Sequence, residues 1–378
     1  MELVDKPDSG SGGHYARRGS SPLLGTIFIC LFLSLPLSAP AEPISIICAG
    51  DVMLSRGVLA RMRGSSPIYP FEKVIDLLRS ADISFVNLEC QLASSGRPTA
   101  GKEVLFRSPP EAVLGLVEAG IDVVSLANNH SLDYGPAALL ETMDALAHCG
   151  IAFVGAGFSR RSAYRPAYIR VRDRIVAFLA YSWRFYLTVE ADEGSPGVAL
   201  LSEEALRRGI PEARRWADYV VVSCHWGWEY VERPTEEDVK LAHLAIDLGA
   251  DLVVGHHPHV IQPVERYKNG LICYSLGNFV FDQRRPGTRE GLILRAYLEG
   301  EGLAGAELIP VMIDPEEFRP YPATGAEARA ILDRLKRLSK GFGTELIALE
   351  GIGIVGMGGS KLIGEAASPS AHLSEAGR

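Results

Sequence analysis

The chain has 378 residues, 47% hydrophobic and 22% charged, which excludes fibrous and intrinsically disordered classes and leaves room for one large domain or two small ones. A formal net charge of -8, with the acids dispersed along the chain, excludes a basic nucleic-acid-binding face, so no nucleic-acid partner is expected.

The uncharged stretch from Leu23 to Ala41 follows Arg17 and Arg18 and ends in Pro36 and Ala39-Pro40-Ala41. Charged, apolar and small-residue regions in this order describe a secretory signal cleaved after Ala41. A retained membrane anchor is the alternative, because the stretch approaches the roughly 20 residues that a spanning helix needs. Either way the folded part is expected to be exported, to the periplasm, the cell envelope or the extracellular space. The expected organisation is a signal or anchor over 1–41, a folded domain over 42–350, and a tail over 351–378 where Gly, Ser and Ala dominate. Among the six cysteines, Cys30 falls in the apolar leader, while Cys48, Cys224 and Cys273 sit in strand-like apolar runs and are expected as buried free thiols. Cys90 and Cys149 have no spacing that suggests a partner, and no Cys-x-x-Cys pair exists.

From residue 44 to about 156 short apolar runs alternate with helical periodicity: strand 44–50, helix near 71–80, strand 83–88, helix near 110–119, strand 122–127, helix near 136–148 and strand 151–155. This alternation predicts βαβ units on a mainly parallel sheet. Residues 167–182 read as a hairpin about Arg172-Asp173, followed by helix 203–216, strand 219–224, helix 235–248 and strand 252–255. The runs PVERY and LICYSLGNFVF, joined through Lys-Asn-Gly, predict a second hairpin. GLILRAYLE and AGAELIPVMI continue as strands, and 324–339 is an amphipathic helix. The expected fold is α/β, a four-layer αββα sandwich of two mixed sheets flanked by helices.

Five of the nine histidines fall in three segments, each directly after an apolar run: SLANNHSLDYG (His130), VVVSCHWGWE (His225) and LVVGHHPHV (His256, His257, His259). Two more strand-like runs end in acids, ISIICAGD at Asp51 and ISFVNLE at Glu89. In sheets covered by helices, ligands gather at the carboxyl ends of the strands. Imidazole and carboxylate together suit a divalent metal such as zinc, iron or manganese. Asn87 and Glu89 point the same way on a strand, so both can share one site. The amide oxygen of Asn129 is a candidate ligand, and His130 is a candidate general acid whose ring Asp133 would hold. His257 and His259, at i and i+2, face one side if the backbone is extended. His256 would then face away and bond to the backbone, although the roles of His256 and His257 can be exchanged. Asn278, in SLGNF, is a candidate polar contact beneath the site, and Trp226, Trp228 and Phe279 either line a groove or, at least as readily, pack in the core.

With these segments in view, the chain resembles the capsule-synthesis CapA family, also called the poly-γ-glutamate capsule proteins, which are similar in fold to calcineurin-like metallophosphatases. The resemblance rests on AGDVML, NLE, ANNHSLDYG, HWGWE, GHHPHV and YSLGNFVF, in this order, over residues 44–313. It implies a site for one or two ions with a bridging carboxylate. Asp51, Glu89 and His259 would hold one ion; Glu89, Asn129, His225 and His257 would hold the other; His130 would protonate a leaving group. The related Asp-x-His motif reads Asp51-Val52-Met53 here, so the first ion is expected to be weakly held, absent or completed by water.

The resemblance further implies a role in capsular or poly-γ-glutamate polymer synthesis or export. The polymer and membrane synthase components are the expected partners, with membrane contact only if the leader is retained. Phosphoester hydrolysis is the first expected reaction, by analogy of fold alone. The alternatives are amide hydrolysis or transfer on polyglutamate, and a non-catalytic metal-binding assembly factor.

Overall fold

The architecture follows from which face of each strand is apolar. In the first strand, Ile44–Val52, side chains alternate: Ile46 and Cys48 belong to one cluster, Ile47 and Ala49 to another, and all four are fully buried. Strands apolar on both faces need a layer on each side. The computed structural model describes residues 42–357, and from Pro43 onward the described chain forms one unit.

Among the described residues the chain builds a ten-stranded and a six-stranded sheet. In the larger sheet, Ile44–Val52, Ile83–Leu88, Val123–Ser125 and Ala152–Val154 run parallel. The strands Glu290–Glu299 and Gly302–Ile313 extend it antiparallel on the other side of Ile44–Val52. In the smaller sheet Arg174–Ser182, Tyr219–His225, Leu252–His256 and Gly270–Cys273 run parallel, with hairpin partners Ala167–Val171 and Val264–Tyr267 at its edges.

The inner faces of the two sheets meet in one core, where Ile46, Phe85 and Val123 pack with Phe178, Val221 and Val254. Phe85 and Phe178 stack across it at 5.6 Å. The helices Val113–Ala119 and Gly135–His148 cover the outer face of the larger sheet through Leu116, Leu139 and Leu146. On the smaller sheet the covering helices are Glu203–Arg214 and Glu236–Asp247, through Leu206, Ile210, Leu241 and Ala245. The order of layers is therefore helix, sheet, sheet, helix, the four-layer αββα sandwich of two mixed sheets expected from sequence. Both outer helix N-termini on the smaller sheet are capped, by Ser202 and by the reciprocal Thr235/Asp238 box.

Two expectations are corrected and a third is narrowed. Only the first part of the run LICYSLGNFVF is an arm of the expected hairpin, pairing antiparallel with Val264–Tyr267. That part, Gly270–Cys273, stays in the smaller sheet, whereas Asn278–Val280 crosses to the larger one and pairs in parallel with Asp51 and Val52. The crossing turns on Gly277, whose φ of +72° favours glycine and where an added Cβ would lie 2.8 Å from the Glu290 carbonyl oxygen. Gly50 is required beside it, since a Cβ there would fall 1.9 Å from the Gly277 oxygen. Second, the strand Ile352–Gly356 pairs with Gly302–Ile313, inside the segment expected as tail. Its alternation of half-buried and buried residues puts Val355 in the core, which a count of Gly, Ser and Ala does not register. Third, of the two places open to the aromatics, Trp226 and Phe279 take the core rather than a groove: both are fully buried, and of the three Trp228 alone is exposed.

The free thiols expected at Cys48, Cys224 and Cys273 are buried and unpaired. The expected leader at 1–41 and most of the expected tail lie outside the described residues. No helix among the described residues is long and apolar enough to cross a membrane.

Candidate metal centre

The site is assembled where strands of both sheets end. Register shifts between Cys48 and Asp51 in the first strand, and Asp51 then pairs with Asn87 on one side and Asn278 on the other. Asp51 Oδ1 then accepts from Asn87 Nδ2 at 2.8 Å, and Oδ2 accepts from the His257 backbone N–H at 3.2 Å. Glu89 follows Ile83–Leu88 directly and is fully buried. His225 is the last residue of Tyr219–His225, and His257 and His259 follow Leu252–His256.

The His257-His259 segment is not extended. Its backbone has φ of +94° at His257 and +56° at His259, a conformation that costs about 1–3 kcal/mol at a non-glycine residue and persists where the surroundings impose it. The two imidazoles still converge, with ring centroids 5.9 Å apart, by this double reversal rather than by strand alternation. The same geometry corrects His256. It is fully buried, neither ring nitrogen has a hydrogen-bond partner, and Nδ1 lies 3.4 Å from Asp51 Oδ1 instead of bonding to the backbone.

Tautomers follow from the neighbours. His259 Nδ1 lies 2.9 Å from Asn278 Oδ1, which accepts only if Nδ1 carries the proton. In the neutral ring Nε2 is then the lone pair, 3.8 Å from Glu89 Oε1. His225 Nε2 lies 2.9 Å from Asn129 Oδ1, so both atoms face one point. Asn128 ties the cluster together: its amide donates to Asn87 Oδ1 at 3.2 Å and to the Leu88 carbonyl, while its Oδ1 accepts from the His130 backbone N–H at 3.0 Å. His130 Nδ1 meets Asp133 Oδ2 at 2.7 Å, and Nε2 points toward Glu89, 3.8 Å from Oε1. Asp133 is held in turn by the Phe106 backbone N–H at 2.6 Å and by Lys102, which also reaches the Asn129 carbonyl.

Three groupings of side chains have ligand atoms within 4.8 Å of one another: Glu89 with His225 and His257, Asp51 with Glu89 and His259, and Glu229 with His257 and His259. Every residue given a metal, acid or supporting role by sequence reasoning therefore lies at this one place. Glu229 and Lys102 were missed. Glu229 stands at i+4 from His225 in HWGWE, a spacing that could have drawn attention to it; Lys102 sits in a loop with no pattern.

The electrostatics favour a cation. Both oxygens of the fully buried Glu89 lack a hydrogen-bond partner, as does His257 Nδ1. An unpaired carboxylate in a protein interior costs several kcal/mol and is retained only where something compensates it. Burial, followed by repulsion from Asp51, pushes the Glu89 carboxyl well above the usual range. Burial also pushes Asp51 up, but the His256 and His259 imidazoles, 3.4 and 3.3 Å from its oxygens, outweigh that and hold it well below the usual range. Burial and the neighbouring histidines keep His225 and His257 neutral, the latter at about 3. For His259, burial is outweighed by Glu89 and Asp51, which raise it to about 9. The neutral imidazoles of His225 and His257, the latter with an unpartnered Nδ1, beside a buried carboxylate without hydrogen-bond partners fit a divalent ion.

The family follows from comparison with known proteins. Residues 45–283 match the family model described as bacterial capsule synthesis protein PGA_cap. The chain belongs to this family. It is 33% identical over 309 residues to the capsule biosynthesis protein CapA of Bacillus anthracis, covering 79% of this chain and 75% of that one. It is 35% identical over 277 residues to the PGA biosynthesis protein CapA of Bacillus subtilis, covering 72% of each. Among solved structures it is similar to a phosphatase from Mycoplasma pneumoniae, with 14% identity, a TM-score of 0.49, and coverage of 73% of this chain and 96% of that one.

Proposed function

We propose that this protein is a metal-dependent phosphoesterase-like component of capsular or poly-γ-glutamate polymer synthesis, acting outside the cytoplasm. The observation that carries the catalytic part is the His130–Asp133 dyad, with Nδ1 held at 2.7 Å and Nε2 directed at the unsatisfied Glu89. Asp51, Glu89, Asn129, His225, His257 and His259 would hold one or two divalent ions, which would supply Lewis acidity to a phosphoryl oxygen and to water. His130 protonates the departing oxygen from Nε2. Asp133 fixes the ring so that Nε2 is the atom presented, and Lys102 keeps Asp133 in place. Burial lowers the His130 pKa against the opposing pull of Asp133, which makes the charged ring a stronger acid toward a leaving alkoxide. Phe106 stacks on the ring at 4.1 Å and limits its rotation. The pathway is supported by family membership, and export by the apolar segment behind Arg17 and Arg18.

A second reading, a non-catalytic metal-binding assembly factor that engages the polymer or membrane synthase components, is favoured by Met53. Its fully buried side chain stands where the related motif has an imidazole, and its sulfur takes the Ser55 N–H at 3.1 Å. The two readings separate in His130→Gln, assayed with an aryl phosphodiester on manganese-loaded protein. Phosphoesterase function requires hydrolysis by the parent and a loss of about 10²–10⁴-fold in the variant with metal content unchanged. No hydrolysis by the fully loaded parent would leave the assembly reading.

A further inference from the structure

The fold brings Glu229 to the centre by a pinned loop. After His225 the chain passes Gly227, at φ +79°, and reaches Tyr230, at φ +66°. Trp226 anchors one side, its N–H groups donating to the His256 carbonyl and, from the indole, to the Tyr274 carbonyl at 2.9 Å. On the other side the Tyr230 N–H donates to the Pro258 carbonyl at 2.8 Å, and Gln262 Nε2 donates to the Val231 carbonyl at 2.8 Å. A non-glycine residue at positive φ, tied to the loop that carries His257 and His259, indicates an imposed conformation.

The three groupings are linked in a particular way. Glu89 is common to the first two; Glu229 joins His257, from one of these, with His259, from the other. Asp51, Glu89 and His259 offer three protein atoms, whereas a divalent transition ion takes at least four. His257 is 4% exposed and its Nδ1 has no partner. Glu229 is exposed and approaches from the solvent side, while the other donors are buried.

We propose that Glu229 is a metal ligand, a second carboxylate that joins His257 and His259 and completes the donor set around His259. The proposal rests on the metal-centre reading above.

The test is metal binding, not turnover. The full-chain protein is stripped of metal, then titrated with zinc against a chelating dye and with cobalt by visible absorption, as the parent and as Glu229→Gln, Glu229→Asp and Glu89→Gln. The expected result is that Glu229→Gln weakens the less tightly held ion by about 10- to 100-fold and alters the cobalt bands. Glu229→Asp should be impaired as well, because it keeps the charge but not the reach. Glu229 is exposed, so the folding of both variants, followed by circular dichroism, should match the parent. Parent-like affinity in Glu229→Gln, or weakening there with full recovery in Glu229→Asp, would overturn ligation, the latter leaving only a field effect. A parent that binds neither zinc nor cobalt would defeat the metal-centre reading itself, an outcome separable from the first.

Discussion

The two ends of the strands use the same kinds of side chain for opposite purposes. At the carboxyl ends, Glu89 is buried with neither oxygen satisfied, and His257, His259 and Tyr230 hold left-handed backbone. At the amino ends, four aspartates repeat one arrangement. Asp82, Asp122, Asp218 and Asp251 each immediately precede a strand. Each donates its own N–H to the carbonyl of a residue on the neighbouring strand, at 2.9 to 3.0 Å, and accepts that residue's N–H on its carboxylate, at 2.8 to 2.9 Å. The partners are Ser45, Ser84, Ile175 and Val220, so both sheets are fastened alike at this edge. Arg172, Arg174 and Arg214 further pair Asp82, Asp218 and Asp251. A buried carboxylate is structural where backbone donors already satisfy it, and available for a ligand where they do not.

The sharpest way to break this contrast is to neutralise one carboxylate at each end. Glu89→Gln should abolish tight metal binding, since two of the groupings share Glu89, while raising the melting temperature of the chelator-treated protein by removing a buried acid whose oxygens have no hydrogen-bond partner. Metal analysis and thermal scans measure both, and a lower metal-free melting temperature would show that Glu89 stabilises the fold by itself. Asp251→Ala should do the reverse. It strips the buried Val220 N–H of its side-chain acceptor and Arg214 of its partner, costing about 1–3 kcal/mol in denaturant unfolding with metal content unchanged.

The contrast extends to pH. His259 is raised from its ordinary value near 6.5 to about 9 by Glu89 and Asp51. Its contribution to the stability of the metal-free protein is fully present below pH 6.5 and is lost as pH rises through 9. A ligating ion must displace that proton, so binding strengthens over the same interval. The gap in melting temperature between metal-loaded and chelator-treated protein should therefore widen from pH 6.5 to 9, and a gap that narrows would contradict a role for His259 as ligand.

Much of the centre was legible because strand ends declare themselves: an apolar run stops and Asp51, Glu89, His130, His225 or His257 follows. What was not legible depends on backbone that no side-chain pattern encodes. The orientation of His256 follows from the reversal at His257, and the transfer of Asn278 to the other sheet follows from the bend at Gly277. The aspartate fastening escaped notice although it is written four times, in ADISFV, IDVVSL, ADYVVV and ADLVVG, because an acid before a strand has many uses and its partner lies 31 to 43 residues away.

The smallest expected effect tests whether the fastening is made by the backbone bond or by the ion pair. Asp82 accepts from both the N–H and the hydroxyl of Ser45 and pairs with Arg172 at 2.7 Å, where the two side chains are 22% and 42% exposed. Asn in place of Asp82 keeps an acceptor oxygen for the Ser45 N–H and removes the charge. Exposed ion pairs contribute about 0–1 kcal/mol, so Asp82→Asn should lower unfolding stability by no more than that, with the loss diminishing in high salt. Asp82→Ala, which removes the acceptor as well, should cost about 1 kcal/mol further and be insensitive to salt in that part. Equal losses in the two variants would assign the fastening to charge, and the repeated Asp at the amino ends would then be an electrostatic device rather than a substitute for missing ladder bonds.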